Sequence, residues 1–387
     1  MVTPEGHEPD VVTVGVGRAE LACIAGEMGG TDTEATLREG ALDRLLTPAL
    51  RATDPGDLLY LIPHESLHRI PLQAAWVDGA PLIERNPVAT VPSASALHNC
   101  RAKRKGRRRS MLIVADPGGG SAPLVFAREQ ALAVAEQFGV YQLVSGARAS
   151  REYLVAALNG HQASPDILHF TAHGVFDPHQ PMRSGIELAD GRLTAADILG
   201  MSLDVDLVTL GACETGLGAA TAGDDIIGLA WSLFCAGTPT ALVSLWRVEE
   251  LSATMLLKRF YAELQAGRSK AHALQAAQLW LRRLSAAEVL AHAGTARERL
   301  GGRPDFERVI TEHEAWLRLT SGDHQGALAL YRALRAEPTL PAAERDRLEV
   351  LELRAGVLAR GRARRPVALP FSDPRHWAPF FLTGDWL

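Results

Sequence analysis

The chain has 387 residues, 47% of them hydrophobic and 22% charged, enough to bury a sizeable core in one large or two smaller domains. Its 40 basic and 45 acidic residues leave a net charge of −5, which excludes a global pull toward nucleic acid or anionic membrane, so any basic site has to be local. The four cysteines, Cys23, Cys100, Cys213 and Cys235, form no CxxC pair, which excludes a disulfide scaffold and a zinc knuckle and suits a reducing cytoplasm.

The N-terminus lacks a signal-peptide pattern, and no run approaches the ~18 apolar residues of a membrane span, so a soluble cytoplasmic protein is expected. Residues 1–10, with two prolines and three acids, read as a disordered lead-in. A strand is expected at Val11–Val16, a helix over Thr33–Arg51 on the spacing of Leu37, Ala41, Leu45 and Leu46, and a strand over Asp57–Pro63. Pro63, Pro71 and Asp78-Gly79 punctuate short strands as far as Val91, so residues 11–100 read as a small α/β layer of their own. Seven basic residues, Arg101, Lys103, Arg104, Lys105, Arg107, Arg108 and Arg109, then mark 101–110 as an exposed linker and a candidate self-processing site rather than a nucleic-acid site.

Residues 111–284 alternate strands and helices as a parallel sheet with crossover helices requires. The expected elements are a strand at Met111–Ala115, a helix at Ala127–Phe138, a strand at Tyr141–Val144 and a helix at Arg151–Leu158. Apolar strands follow at 166–172, 206–212 and 240–246, then helices near Leu251–Gln265 and Lys270–Leu284. The Gly118–Gly120 loop matches no phosphate-binding motif, and no cofactor or metal is implied. Residues 285–366 turn to Ala, Arg, Glu and Leu without strand signals, a helical insertion in which Gly322–Leu334 resembles one tetratricopeptide helix pair. The aromatic tail, 367–387, returns as a strand of the main sheet.

Two strand ends carry the chemistry. In Leu168-His169-Phe170-Thr171-Ala172-His173-Gly174 and Leu207-Val208-Thr209-Leu210-Gly211-Ala212-Cys213, a buried strand ends in a reactive side chain followed by a turn. Neighbouring parallel strands place both groups beyond their carboxyl ends, where a thiol of ordinary pKa ~8.5 becomes a nucleophile if an imidazole helps it ionise. His173 is the candidate base, Cys213 the candidate nucleophile, and the amides of Gly174 and Cys213 a candidate oxyanion hole. The competing reading makes both ordinary packing residues. His169, inside its strand, reads as a buried hydrogen-bonding residue, Cys23 and Cys235 as packing groups and Cys100 as an exposed one. Glu249, Glu250 and Asp224 fall near the site and suit a basic substrate side chain; for Asp225 and Glu250 helix N-terminal charge complementarity is the favoured reading.

These segments resemble the CHAT family of caspase-like cysteine peptidases, relatives of separase and caspases that are often associated with tetratricopeptide repeats. The resemblance rests on Pro63-His64-Glu65-Ser66-Leu67-His68-Arg69-Ile70-Pro71-Leu72, Val91-Pro92-Ser93-Ala94-Ser95, the His173 and Cys213 segments, Ser244-Leu245-Trp246-Arg247-Val248-Glu249-Glu250, and Trp377-Ala378-Pro379-Phe380 with Gly384-Asp385-Trp386, in that order. Gly211 stands where the family usually has Ser. The resemblance implies an α/β fold, a caspase-like mostly parallel sheet flanked by helices, with a pseudo-caspase-like N-terminal layer and a helical insertion near the C-terminus. It implies a His173–Cys213 dyad and a protein substrate cut after Arg or Lys, with Glu249 or Glu250 in the pocket. An activating sensor or repeat protein, in a bacterial regulatory or defence pathway, is implied too. The alternatives are a non-catalytic interaction scaffold and a nucleic-acid-regulated switch working through the basic linker.

Overall fold

The computed structural model describes residues 10–30, 32–106, 108–118, 124–159, 164–177, 179–211, 218–220, 226–360 and 369–387, with backbone alone at 159, 218–220 and 226–228. The chain divides into two compact units: Met1–Leu279 with Pro374–Leu387, and Trp280–Asp373. Among the described residues no helix is long and apolar enough to cross a membrane.

The first unit opens with α1 (Arg18–Glu27), α2 (Thr33–Leu37) and α3 (Gly40–Arg51). The single helix expected over Thr33–Arg51 is split because Glu39 is extended, at φ −63° and ψ 135°, and Gly40 is a poor helix former. No strand forms at Val11–Val16: a strand needs a neighbour for its backbone groups, no sheet supplies one there, and Val11 is 90% exposed. Next come β1 (Leu59–Leu61), the hairpin of β2 (Trp76–Val77) and β3 (Ala80–Pro81), β4 (Val88–Thr90) and α4 (Ala94–Lys103). Doubly wound elements follow: β5 (Ser110–Ala115), α5 (Ala127–Ala135), β6 (Val140–Ser145), α6 (Arg151–Asn159) and β7 (Ile167–Thr171). A three-stranded outwork of β8 (Gly174–Val175), β9 (Gly185–Leu188) and β10 (Gly191–Thr194) precedes α7 (Ala195–Leu199) and β11 (Leu207–Leu210). The unit ends with β12 (Gly218–Ala220), β13 (Ile226–Gly228), α8 (Leu229–Ala236), β14 (Thr240–Ser244), α9 (Glu250–Gln265), α10 (Lys270–Leu281) and, after the second unit, β15 (Phe380–Gly384).

Eight strands make one sheet in the order β1-β4-β15-β14-β11-β7-β5-β6. The pairs are parallel except β14–β15, so five strands run one way and β15, β4 and β1 the other. The expected mostly parallel sheet flanked by helices is therefore present. Its N-terminal strands are not a layer of their own, since the returning tail strand β15 pairs with both β14 and β4 and joins them to one sheet. Two buried glutamines hold the tail there: Gln73 donates to the carbonyls of Ala378 (2.8 Å) and Phe380 (3.2 Å), and Gln278 to those of Trp377 and Phe380 (both 2.8 Å). Gly384 is obligatory at the strand end, because its φ is +99° and a Cβ would lie 2.2 Å from the Pro239 carbonyl.

The central strands are buried on both faces, which is why they read as unbroken apolar runs rather than alternating ones. Leu112, Val114, Leu168, Phe170, Val208, Leu210, Ala241 and Val243 pack on one face with Leu154, Ile198, Leu229 and Leu233 of the covering helices. Each Leu, Val, Ile or Phe side chain among them contributes roughly 1.5–3 kcal/mol by leaving water. The other face carries His169 and Thr209, which meet Tyr261 of α9.

Part of the basic run is pinned by ion pairs, while Arg101, Lys103 and Arg109 are exposed as expected and Arg107 lies outside the described residues. Arg101 and Lys103 complete α4, Arg104 forms a two-pronged pair with the fully buried Asp385, Lys105 pairs with Asp204, and Arg108 donates to the fully buried Asp206 (3.2 Å). Lys270, also fully buried, sits between Asp206 (3.1 Å), Asp385 (3.7 Å) and the Thr240 hydroxyl (2.8 Å). Burial and the nearby Arg108 pull the Lys270 ammonium down to about 8, against the two carboxylates. Composition misled here because the anionic partners lie up to 281 residues away. This cluster occupies the amino edge of β5, β7, β11 and β14. The self-cleavage expected at 101–110 would depend on Cys213, which lies outside the described residues.

The second unit is helical: α11 (Ala286–Leu300), α12 (Pro304–Thr320), α13 (His324–Arg335) and α14 (Ala342–Arg360). Ser285 and Glu288 form a reciprocal cap on α11, and Asp323 accepts from the Gly326 amide (2.9 Å) to start α13. The tetratricopeptide-like segment Gly322–Leu334 thus forms one helix, whose Ala327, Leu328, Tyr331 and Leu334 share a core with Ala315 and Leu319 of α12 and Leu348 and Ala355 of α14.

Candidate active site

The five co-directional strands follow the spatial order β6-β5-β7-β11-β14, so the winding reverses between β5 and β7, and the crevice beyond the carboxyl ends at such a point is where doubly wound sheets bind ligands. The exits of β7 and β11 are locked together there. Phe170 lies opposite Leu210, and the Gly211 amide donates to the Phe170 carbonyl at 2.8 Å. Cys213 itself lies outside the described residues, as do Asp224 and Asp225. His173 follows β7 by two residues and is half-buried.

Two backbone details shape the surroundings of His173. Its carbonyl accepts from the Glu187 amide (2.8 Å), which makes the His173/Glu187 pair a hydrogen-bonded one in the β8–β9 ladder. Positions alternate in an antiparallel ladder, so Gly174 turns its N–H away from β9. At the exit of β5, Asp116 takes φ +42°, donates its amide to the Thr171 carbonyl (3.0 Å) and accepts from the Gly146 amide (2.9 Å). Asp tolerates this left-handed conformation better than most residues, and the turn ties the exits of β5, β6 and β7 together.

A cleft opens between these exits, α5 and α9. Phe126, Ala127, Thr171, Ala172, Gly211 and Glu250 form its working walls. Glu250 accepts the Phe126 amide at 2.8 Å, while Glu249 caps α9 by accepting from the amides of Leu251 (2.7 Å) and Ser252 (2.8 Å). Glu250 lies in the first turn of α9, where the favoured reading of helix N-terminal charge complementarity put it, and it also lines the cleft, whereas Glu249 is taken up by the cap. α9 starts one residue earlier than its apolar pattern suggests, with Glu249 extended at φ −65° and ψ 134°.

Beneath the cleft lies a layer of buried polar side chains that no sequence motif marks. His169 is fully buried, its Nδ1 3.1 Å from the Tyr261 hydroxyl and its Nε2 3.0 Å from the Thr171 hydroxyl. It is the hydrogen-bonded core histidine expected, and burial pulls its pKa down to about 3, so the ring is neutral. The Tyr261 and Thr209 hydroxyls are 2.7 Å apart, and Thr171 donates to Gln130 Oε1 at 2.7 Å. The aromatic rings of Phe138 and Phe260 pack edge-on against Tyr261. Only sequence separations of 39 to 92 residues connect Gln130 and Tyr261 to His169, which is why periodicity gives no signal for them.

The cysteines are placed differently from expectation. Cys100 is buried on the inner side of α4, where desolvation pushes its thiol up to about 11, and Cys23 and Cys235 are exposed. A short helix contributes few inward positions, and Cys100 takes the buried one in α4.

Comparison with known proteins places these features in context. Tetratricopeptide repeat protein 28 of Homo sapiens is 28% identical over 39% of this chain and 7% of its own length, and its Mus musculus counterpart is 28% identical over 38% and 7%. The chain thus spans less than a tenth of the length of the curated relatives it matches. Among solved structures, the separase–securin complex of Saccharomyces cerevisiae aligns over 57% of this chain and 14% of the separase-complex chain, at 14% identity and a TM-score of 0.41. The Arg-specific cysteine proteinase gingipain R aligns over 62% of both chains, at 10% identity and a TM-score of 0.44. The CHAT domain family model matches residues 38–385, nearly the whole sheet-forming chain, and the protein belongs to the CHAT domain family.

Proposed function

We propose that the protein is a cysteine endopeptidase that cuts after Arg or Lys, with His173 and Cys213 as its dyad. The observation that carries the reading is the junction of β7 and β11: the Gly211–Phe170 bond brings the two exits into contact, one leading to His173 and the other to Cys213. In the first step the Cys213 thiolate attacks the scissile carbonyl carbon, and the C–N bond breaks as His173 protonates the leaving amine. Water then attacks the acyl-enzyme, giving its proton to His173 and releasing the carboxylate product and the thiolate. The Gly174 amide, directed away from the β8–β9 ladder, and the Cys213 amide are the proposed donors to the tetrahedral oxyanion.

Glu250 is the proposed partner of the basic substrate side chain. A carboxylate accepts about four hydrogen bonds, so the bond from the Phe126 amide does not preclude a guanidinium or ammonium. Glu249 is committed to the helix cap, and Asp224 remains a candidate from its sequence position. A protein substrate and an activating protein partner belong to this reading, the latter because caspase-like loops are commonly ordered by a partner or signal.

Cleavage of a peptide library tests the proposal. Wild-type protein should cut after Arg and Lys, and Cys213→Ala should cut nothing; cleavage that survives in Cys213→Ala contradicts the assignment. Glu250→Gln keeps an acceptor for Phe126 and removes the charge, so kcat/KM for basic substrates should fall about 10- to 100-fold. Glu249→Gln should leave the preference for basic residues intact, and equal losses in both variants would assign the pocket wrongly.

A further inference from the structure

The buried polar side chains under the cleft form one connected chain. The Thr171 hydroxyl donates to Gln130 Oε1 at 2.7 Å. His169 Nε2 lies 3.0 Å from that hydroxyl and 3.3 Å from Gln130 Oε1. On the other side of the ring Nδ1 lies 3.1 Å from the Tyr261 hydroxyl, which donates to Thr209 Oγ1 across 2.7 Å. At the far end Gln130 Nε2 donates to the Thr254 hydroxyl at 3.4 Å. The chain runs from Thr209 on β11, through Tyr261 on α9, His169 and Thr171 on β7 and Gln130 on α5, back to Thr254 on α9. All six residues are at least nine-tenths buried.

We infer that this hydrogen-bonded chain is a positioning device that braces the exit of β7 against the exit of β11, the two strands that lead to His173 and Cys213. The inference rests on the peptidase reading above for its catalytic consequence, and on geometry alone for the brace. His169, Tyr261 and Thr209 do not line the cleft, so they act through the strands and not on substrate. Neutrality suits a brace, because the strongly depressed pKa of His169 keeps the chain in one protonation state across the working pH range. Gly211 belongs to the same device, because a Cβ there would lie 2.9 Å from the Phe170 carbonyl and 3.0 Å from Gln130 Oε1, and only glycine lets the Gln130 amide and the two exits close together. A buried network satisfied at every member fixes geometry more tightly than packing alone. A small misplacement of reacting groups is expensive in rate.

Tyr261→Phe and Thr209→Val each remove one hydroxyl at nearly constant shape. Both should lower kcat about tenfold with KM within about twofold, and Thr209→Ser should restore it. Both should also speed hydrogen exchange of the Gly211 amide, which bonds to Phe170, about tenfold relative to the amide of Ile113 in β5. Leu264→Ala, a buried apolar truncation on the same helix, serves as the control for lost stability and should keep wild-type kcat well below its melting temperature. Wild-type kcat and Gly211 exchange in both hydroxyl variants, or an equal loss of kcat in Leu264→Ala, would overturn the inference. If the wild type cleaves no peptide, the peptidase reading falls by itself, and Gly211 exchange still decides the brace: accelerated in both variants it stands, unchanged it is gone.

Discussion

The two edges of the central sheet bury their polar groups in opposite ways. At the amino edge the network is ionic: Asp206 and Asp385 are held among Lys270, Arg104 and Arg108, which joins the start of β11, the end of β15, the start of α10 and the basic segment after α4. Beneath the carboxyl edge the network is neutral, built from hydroxyls, one amide and one neutral imidazole. Ion pairs in a low dielectric are costly to form and still costlier to break, so they suit a junction that has only to stay closed. Neutral hydrogen-bonded groups hold geometry without placing a charge beneath the candidate site. The contrast teaches that this fold separates the clamp holding its topology from the brace shaping its candidate site.

The largest effect should come from breaking the clamp. Asp385→Ala leaves Lys270 and Arg104 without their shared carboxylate and should cost about 3–5 kcal/mol in urea unfolding. A cost near that of an exposed pair, below about 1 kcal/mol, would erase the distinction between the edges. A smaller effect is a difference in pH window. His169 is held at about 3 in the fold against an ordinary 6.5, so the unfolded chain binds one proton more between those values. Stability from this group is therefore complete above pH 6.5 and lost as pH falls toward 3, by about 1.4 kcal/mol per pH unit. Lys270, at about 8 against an ordinary 10.5, has the same sign in another window, and stability rises as pH climbs from about 8 to 10.5. His169→Gln should flatten the acid slope alone and Lys270→Met the alkaline slope alone, measured by urea melts across pH. Either variant flattening both slopes would mean that the networks are one.

Legibility in the sequence followed the range of the interactions. The strands leading to His173 and Cys213 were readable to within one or two residues because burial on both faces writes a continuous apolar run into four or five positions. The helical nature of the second unit was equally plain from its local composition. Val11–Val16 misled because its apolar pattern has no pairing partner, and the basic segment misled because charge composition does not disclose that Asp206 and Asp385 await it across the fold. The capping role of Glu249 turned on a single residue in the start of α9, finer than periodicity resolves. The brace was invisible for the same reason as the clamp: Gln130, His169, Thr209 and Tyr261 come from four elements and share no motif.

The most direct measurement is covalent labelling with a peptidyl ketone that carries Arg at its P1 position and an acyloxymethyl leaving group, followed by mass mapping. The account predicts one adduct, on Cys213, that is lost in His173→Ala and outcompeted by a peptide substrate with Arg at P1. Labelling of the exposed Cys23 or Cys235 in place of Cys213, or labelling of Cys213 at the same rate with His173 removed, would contradict it.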